Sequence, residues 1–206
     1  LEEARDKVKW GRARKSQKVE EDEKKIVAYH EAGHATIMYY DEHCEPLHKV
    51  SILPRGQGLG VTIPLPEKDR HLYTKNQLLS QLRMTYGGRI AEDRFCSDVS
   101  SGAAQDIRQA TMIAKAMVTE YGMSEKLGFQ HYGSDAMGNG SMFEGMEKPY
   151  SDETARMIDE EIKGLIDKTY GEAEQMIDGH REELERVAEA LLKYETLNRE
   201  EVEKIM

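Results

Sequence analysis

Residues 20–41 read EEDEKKIVAYHEAGHATIMYYD, a stretch with no proline and a single glycine, Gly33. Its apolar residues recur at Ile26, Ala28, Tyr29, Ala32 and Ile37, which is the spacing of a helix with one buried stripe. A helix from Glu20 to Asp41 carries His30 and His34 one turn apart on the same face. Two neutral imidazoles placed in this way can reach one ion. Zinc suits them, because it favours nitrogen and sulfur donors in a tetrahedron and keeps one position open in catalytic sites. Glu31, directly after the first histidine, lies beside that open position and can take a proton from metal-bound water as it attacks a polarised carbonyl. With 7 histidines and 39 acidic residues in 206, chance yields such a pentapeptide roughly 0.04 times per chain. Paired structural histidines are therefore the weaker reading, and the pattern points to a zinc-dependent hydrolase.

Two imidazoles do not complete the donor set, so a third protein ligand is required. The extended HExxHxxGxxH form does not continue here, since Ile37 and Tyr40 stand where its glycine and third histidine would be. The ligand must come from elsewhere in the chain. A second strong helix runs from Ala103 to Tyr121 after Ser100-Ser101-Gly102, with an apolar stripe through Ala103, Ala110, Ile113 and Met117. Asp106 sits on that stripe, where a carboxylate is costly unless paired or bound to a metal. The alternative is a first-turn acid in a capping arrangement with Ser100 or Ser101, helped by the helix dipole. The residues alone leave both open. Glu92 and Asp93 are competing donors, but helical spacing gives neither a comparable apolar setting.

Around these helices the chain alternates only briefly. HKVSIL (residues 48–53) and LGVTIPL (59–65), with Gly56 and Gly58 between them, predict two short paired strands, one of which could edge the site and hold an extended substrate. Helices are predicted over Thr74–Phe95, interrupted at Gly87-Gly88, over Ser151 to about Ile177, weakened at Gly164 and Gly171, over Arg181–Tyr194, and over Asn198–Ile205 with Asn198 as cap. Leu1–Trp10 reads as helix, Gly11–Lys18 as a polar connection and Gly133–Pro149 as a Gly- and Met-rich loop. Helix dominates, with a small sheet. Gly87-Gly88-Arg89 reads as a close helix crossing with Arg89 in an ion pair rather than an anion site. Gly58 and Gly60 read as places where backbone passes close to the site. The stripe Leu184, Val187, Leu191 reads as a packing or ring-contact surface, and His43, His48, His71, His131 and His180 as isolated.

The formal net charge of -10 argues against nucleic acid or an anionic membrane surface as partner. No run approaches the roughly 18 apolar residues of a transmembrane helix, and no signal peptide is expected. Cys44 and Cys96, far apart and outside any CxxC spacing, read as reduced, partly buried thiols. A chain opening on Leu1 in a helix-like phrase reads as part of something longer.

Taken in order, several phrases resemble the peptidase domain of the FtsH-type, membrane-anchored, ATP-dependent zinc metalloproteases, the AAA protease family. They are DKVKWGRARKS (6–16), VAYHEAGHA (27–35), HKVSILPRGQGLGVTIPLP (48–66), YGGRIAED (86–93), SSGAAQDIRQAT (100–111), YGMSEKLG (121–128) and ETL (195–197). The departures are mild: Ser100 stands where Thr is common, and Tyr86 where Leu is common.

This resemblance implies a mainly α, helical zincin-like metalloprotease domain with a small β-sheet near the active site. It implies His30, His34 and Asp106 as ligands of one Zn²⁺ per chain, with Glu31 activating its water for peptide-bond hydrolysis. The implied organisation is a linker or helix at 1–18 joining an upstream ATPase module, a zinc-binding catalytic core at 19–132, a flexible loop at 133–150, and a C-terminal helical part of the same domain at 151–206. A homo-hexamer degrading unfolded or membrane proteins is implied, membrane-anchored through segments outside these residues. The peptidase domain is then on the cytoplasmic side of the bacterial inner membrane, or in the equivalent organellar compartment. No GxxxxGK[ST] phosphate loop occurs in these residues, so ATP is expected to act only through the upstream module. Two other functions compete: a stand-alone zinc peptidase for short peptides, and an inactive ring-forming module with a structural zinc. Glu31 speaks against the last, because structural sites use four protein ligands and no general base.

Overall fold

The computed structural model describes residues 19–54, 58–65, 72–133 and 150–206. The expectations for 1–18, for His71 and for most of the loop beginning at Gly133 fall outside them. The described elements are α1 (Glu21–Tyr40), β1 (Leu47–Ser51), β2 (Val61–Pro64), α2 (Lys75–Phe95), a 3-10 turn (Ser101–Ala103), α3 (Ala104–Thr119), α4 (Asp152–Gly179), α5 (Arg181–Tyr194), β3 (Thr196–Asn198) and α6 (Arg199–Ile205). The domain is mainly α, as expected. Among the described residues no helix is long and apolar enough to cross a membrane.

Helix α1 begins with Glu21, Asp22 and Glu23, whose charges complement the positive end of the helix. From Ala28 to Met38 only His30 escapes full burial, so α1 is covered nearly all round and forms the centre of the molecule. It packs on α2 and α5, with the sheet and α4 completing its surround. Three of the other helices start on recognisable caps: a Thr74–Gln77 capping box on α2, Ser151 on α4 and an Asn198–Glu201 capping box on α6.

One expectation needs correction. Helix α2 runs unbroken through Gly87-Gly88, whereas the single long helix expected from Ser151 is present as α4, continuous through Gly164 and Gly171. In α2 the glycines serve packing rather than interruption. A Cβ built on Gly33 would lie 2.2 Å from the Gly87 carbonyl oxygen and 2.7 Å from the Ala91 Cβ, and one on Gly87 would lie 2.6 Å from the Gly33 oxygen. The two helices therefore touch backbone to backbone. Arg89 beside the crossing donates to the Ser100 carbonyl at 3.2 Å.

The sheet also holds more than the predicted pair. Its order is β2-β1-β3, antiparallel throughout, with Val50 opposite Thr62 on one side and Leu197 on the other. β3 is only three residues long and carries no strand signal of its own. It is placed by Glu195, which ends α5 in the left-handed region (φ 60°), and whose carbonyl accepts from the Ile52 N–H at 2.9 Å. Leu184, Val187 and Leu191 of α5 are fully buried in one core with Ala28, Ala32 and Ile90, so they are packing residues. Cys44 and Cys96 are free and partly buried, and burial pushes the Cys44 thiol up to about 11.

Replacing Gly33 with alanine gains about 1 kcal/mol of helix propensity. The new methyl meets backbone that cannot rotate away, and overpacking of this kind costs about 1–3 kcal/mol or more. Gly33→Ala is expected to be destabilised in urea unfolding. A midpoint at or above the parent's would show that the crossing opens without cost.

Candidate metal centre

One turn separates His30 from His34 on α1, and one stripe of α2, Met84–Gly88–Glu92, faces both rings. The Nδ1 of His30 lies 2.7 Å from Glu92 Oε1, and the Nδ1 of His34 lies 2.7 Å from the Met84 carbonyl oxygen. Each ring donates its Nδ1 proton outward, so both Nε2 atoms turn toward a common point. Gly88 makes room for this, because a Cβ there would lie 2.6–2.7 Å from three atoms of the His30 ring.

Asp106 arrives from the first turn of α3. Its Oδ2 is 3.2 Å from His30 Nε2 and 3.8 Å from His34 Nε2, and the two Nε2 atoms are 3.0 Å apart. A zinc tetrahedron with bonds of about 2.0–2.1 Å has corners about 3.3 Å apart. The three donor atoms thus already stand close to the spacing that a zinc ion requires. Among the described residues this is the group of histidine and carboxylate side chains arranged to hold a metal. Of the two arrangements open to Asp106 in the sequence, the geometry directs its carboxylate to the imidazoles. The capping work near it falls to Ser100, whose hydroxyl accepts from the Gly102 N–H at 3.0 Å.

The electrostatics of the site fit a cation. Burial disfavours charge on His30, yet its hydrogen bonds to Asp106 and Glu92, with Glu31 nearby, outweigh that and push it up to about 10. Burial raises both carboxylates, but the His30 hydrogen bond leads the groups that bring Glu92 and Asp106 below the usual range. The buried Glu92 and the partly buried Asp106, set around the imidazole pair, therefore favour a positive charge between them.

Glu92 is the residue that sequence spacing undervalued. It is 1% exposed, deeper than Asp106, and its second oxygen accepts from the Ser100 N–H at 2.8 Å. The available signal was Gly88, one turn before it on the same face, marking where another element comes close. Asp93, the other competing donor, is half exposed and pairs with Arg94 at 2.5 Å. The remaining described histidines stay apart from the centre; His180, for example, stacks on Tyr40 with centroids 3.5 Å apart.

Glu31 is buried, and its Oε2 accepts a hydrogen bond from the Thr62 hydroxyl of β2 at 2.6 Å. Gly60, just before β2, lies against the same side chain: a Cβ there would be 2.6 Å from Glu31 Oε1. The expected close passage of backbone at Gly60 is present.

A mainly helical domain that joins an HExxH helix to a carboxylate from a distant helix defines a metallopeptidase of the zincin-like kind. Residues 17–205 match peptidase family M41, and the chain belongs to that family. It is 48% identical, over its whole length, to "ATP-dependent zinc metalloprotease FtsH 2" of Methylacidiphilum infernorum, covering 32% of that protein. It is 47% identical over 99% of its length to "ATP-dependent zinc metalloprotease FtsH" of Chlamydia trachomatis, covering 22%. The Thermotoga maritima protein of the same name is 43% identical over the whole chain, which covers 34% of it. The chain thus spans about a third or less of the length of these curated relatives.

Glu92→Gln keeps the volume of the side chain but removes the carboxylate charge that orients His30. Partners of this kind are typically worth about 10–100-fold in metal affinity. Chelator competition should show zinc held more weakly by that range. Unchanged affinity would make Glu92 a bystander.

Proposed function

We propose that this chain is the zinc-dependent endopeptidase domain of a longer, membrane-anchored, ATP-dependent protease that degrades unfolded or membrane proteins. The observation that carries the catalytic part is the convergence of His30 Nε2, His34 Nε2 and Asp106 Oδ2 beside the buried Glu31. In this reading the three residues would hold one Zn²⁺, whose Lewis acidity would polarise the scissile carbonyl and lower the pKa of water toward neutrality. Glu31 takes the water's proton, holds it on its carboxylate, and delivers it to the departing amine nitrogen. Glu92 and the Met84 carbonyl keep the two imidazoles in the tautomer that presents Nε2. β2, with β1 on one side only, offers its other edge to an extended polypeptide by strand addition. Three protein ligands rather than four suit a catalytic site, and a purely structural zinc would leave the buried Glu31 without a role.

The parts lying outside these residues are inferred from the relatives, whose names give them ATP dependence. Residues 19–132 then form the catalytic core and 151–206 the remainder of the same domain. The domains assemble as a homo-hexamer, anchored through segments elsewhere in the protein. The peptidase part faces the bacterial cytoplasm or the equivalent organellar compartment.

Glu31→Gln should lower hydrolysis of casein and of a short fluorogenic peptide by about 10²–10⁴-fold, with zinc content unchanged. Asp106→Ala should lose zinc itself, read by metal analysis after dialysis. Parent-level turnover in the first, or full occupancy at undiminished affinity in the second, would remove that residue from its role. Casein cleavage by the longer protein that does not respond to ATP would favour a stand-alone peptidase.

A further inference from the structure

We propose that the segment Gly60–Thr62 is a positioning element for the Glu31 carboxylate, with Thr62 fixing one oxygen and Gly60 keeping the other clear. The inference rests on Glu31 being the general base and deepens that reading. A glutamate side chain has three rotatable bonds, and a base must stand within hydrogen-bond reach of the proton it takes. The helix sets only where the side chain of Glu31 begins. Something else must hold its far end.

The Thr62 hydroxyl lies 2.6 Å from Glu31 Oε2 and 3.2 Å from the Glu31 backbone carbonyl. A hydroxyl has one proton to donate. The shorter contact falls in the range of a charge-assisted O–H···O⁻ bond, so the carboxylate receives it. Oε2 is thereby tied to β2, and Oε1 is left to take the proton from water and return it to the amine. Gly60 borders that second oxygen: a Cβ there would come within 2.6 Å of Oε1, and within 2.8 Å of both Glu31 Cγ and Val27 Cγ1. The two residues act on opposite oxygens of one carboxylate. Thr62 belongs to, and Gly60 leads into, the strand whose outer edge is offered to the polypeptide, so the base and the substrate share one support. Thr62 is half-buried and β-branched, and valine has its shape without its proton. Thr62→Val therefore removes the tie and keeps the strand.

The test compares the zinc-loaded parent with Thr62→Val, Thr62→Ser, Gly60→Ala and Glu31→Gln. The readouts are kcat and KM on a fluorogenic peptide, zinc content, thermal midpoint and affinity for a peptide hydroxamate, whose acidic proton needs a correctly placed carboxylate. Thr62→Val should lose about 10–100-fold in kcat, the range seen for supporting hydrogen-bond partners. Its KM, zinc content and thermal midpoint should stay at parent values, and it should bind the hydroxamate about tenfold less tightly, as expected when one positioned hydrogen bond is lost. Serine, which restores the hydroxyl, should recover most of both losses, and Gly60→Ala should lower kcat by displacing Oε1. If Thr62→Val keeps parent kcat and hydroxamate affinity while Glu31→Gln is inactive, the positioning role is wrong and the general-base reading stands. If Thr62→Val instead loses zinc or thermal stability in step with activity, the bond is a structural tie and the proposal falls. Full activity in Glu31→Gln would overturn the underlying reading itself.

Discussion

The backbone contact between Gly33 and Gly87 sets the separation of α1 and α2, and the remaining geometry of the site follows from it. With no Cβ on either side, each glycine meets the other's carbonyl group, a spacing that no pair of ordinary residues permits. At that distance a single stripe of α2 can support both imidazoles of α1, one through a side-chain carboxylate and one through a main-chain carbonyl. A crossing even one methyl wider would carry Glu92 and the Met84 carbonyl out of hydrogen-bonding range. The same stripe supplies Gly88, which lets the His30 ring lie flat against the helix. Three consecutive turns of α2 thus do three different things for one pair of rings.

A site of this kind is expensive for the fold. Glu31, Glu92 and His34 are all buried, and buried charge is tolerated only when it is paired and hydrogen-bonded. The pairing here calls for a positive charge between the carboxylates, whose hydrogen bonds to His30 raise its pKa against the opposing effect of burial. Stability has to come from elsewhere. It comes from the apolar core behind α1, where Leu184, Val187 and Leu191 of α5 pack with Ile37, Leu82 and Ile90. Arg83 reinforces that side by bridging Asp41 and Glu172 at 2.7 and 2.8 Å, joining the end of α1 to α4 through α2.

The sheet packs into the same core against α1 and is small, but it is anchored at both ends of the chain's course. β1 and β2 follow α1 directly, whereas β3 returns from the far end after α5. The left-handed turn at Glu195 closes that circuit by pointing its carbonyl at Ile52. The strand nearest Glu31, β2, pairs with β1, and β1 is held on its other side by residues about 150 positions later in the chain. The Thr62 hydroxyl and Gly60 can then stand against the carboxylate in one fixed arrangement.

The sequence by itself determined the local elements and the chemistry they carry. Uninterrupted periodicity through HEAGH defined α1, cap residues such as Ser151 and Asn198 marked where helices start, and the i, i+4 histidines with an adjacent glutamate specified a zinc-type hydrolytic centre. These features are short-range, so neighbouring residues encode them. Asp106 was visible only as a carboxylate on an apolar stripe, open between two roles until the resemblance of the surrounding phrase pointed to one. Glu92, the Met84 carbonyl, Thr62 and β3 were not visible as partners. Each depends on how close two distant segments come, and no periodicity within either segment reports that distance. The glycines at 60, 87 and 88 were the closest thing to a record of it, since they read as places of close approach without naming what approaches. The tertiary structure decided which atoms fill each place, Glu31 at Gly60, Gly33 at Gly87 and the His30 ring at Gly88, because a missing side chain matters only once something else takes its room.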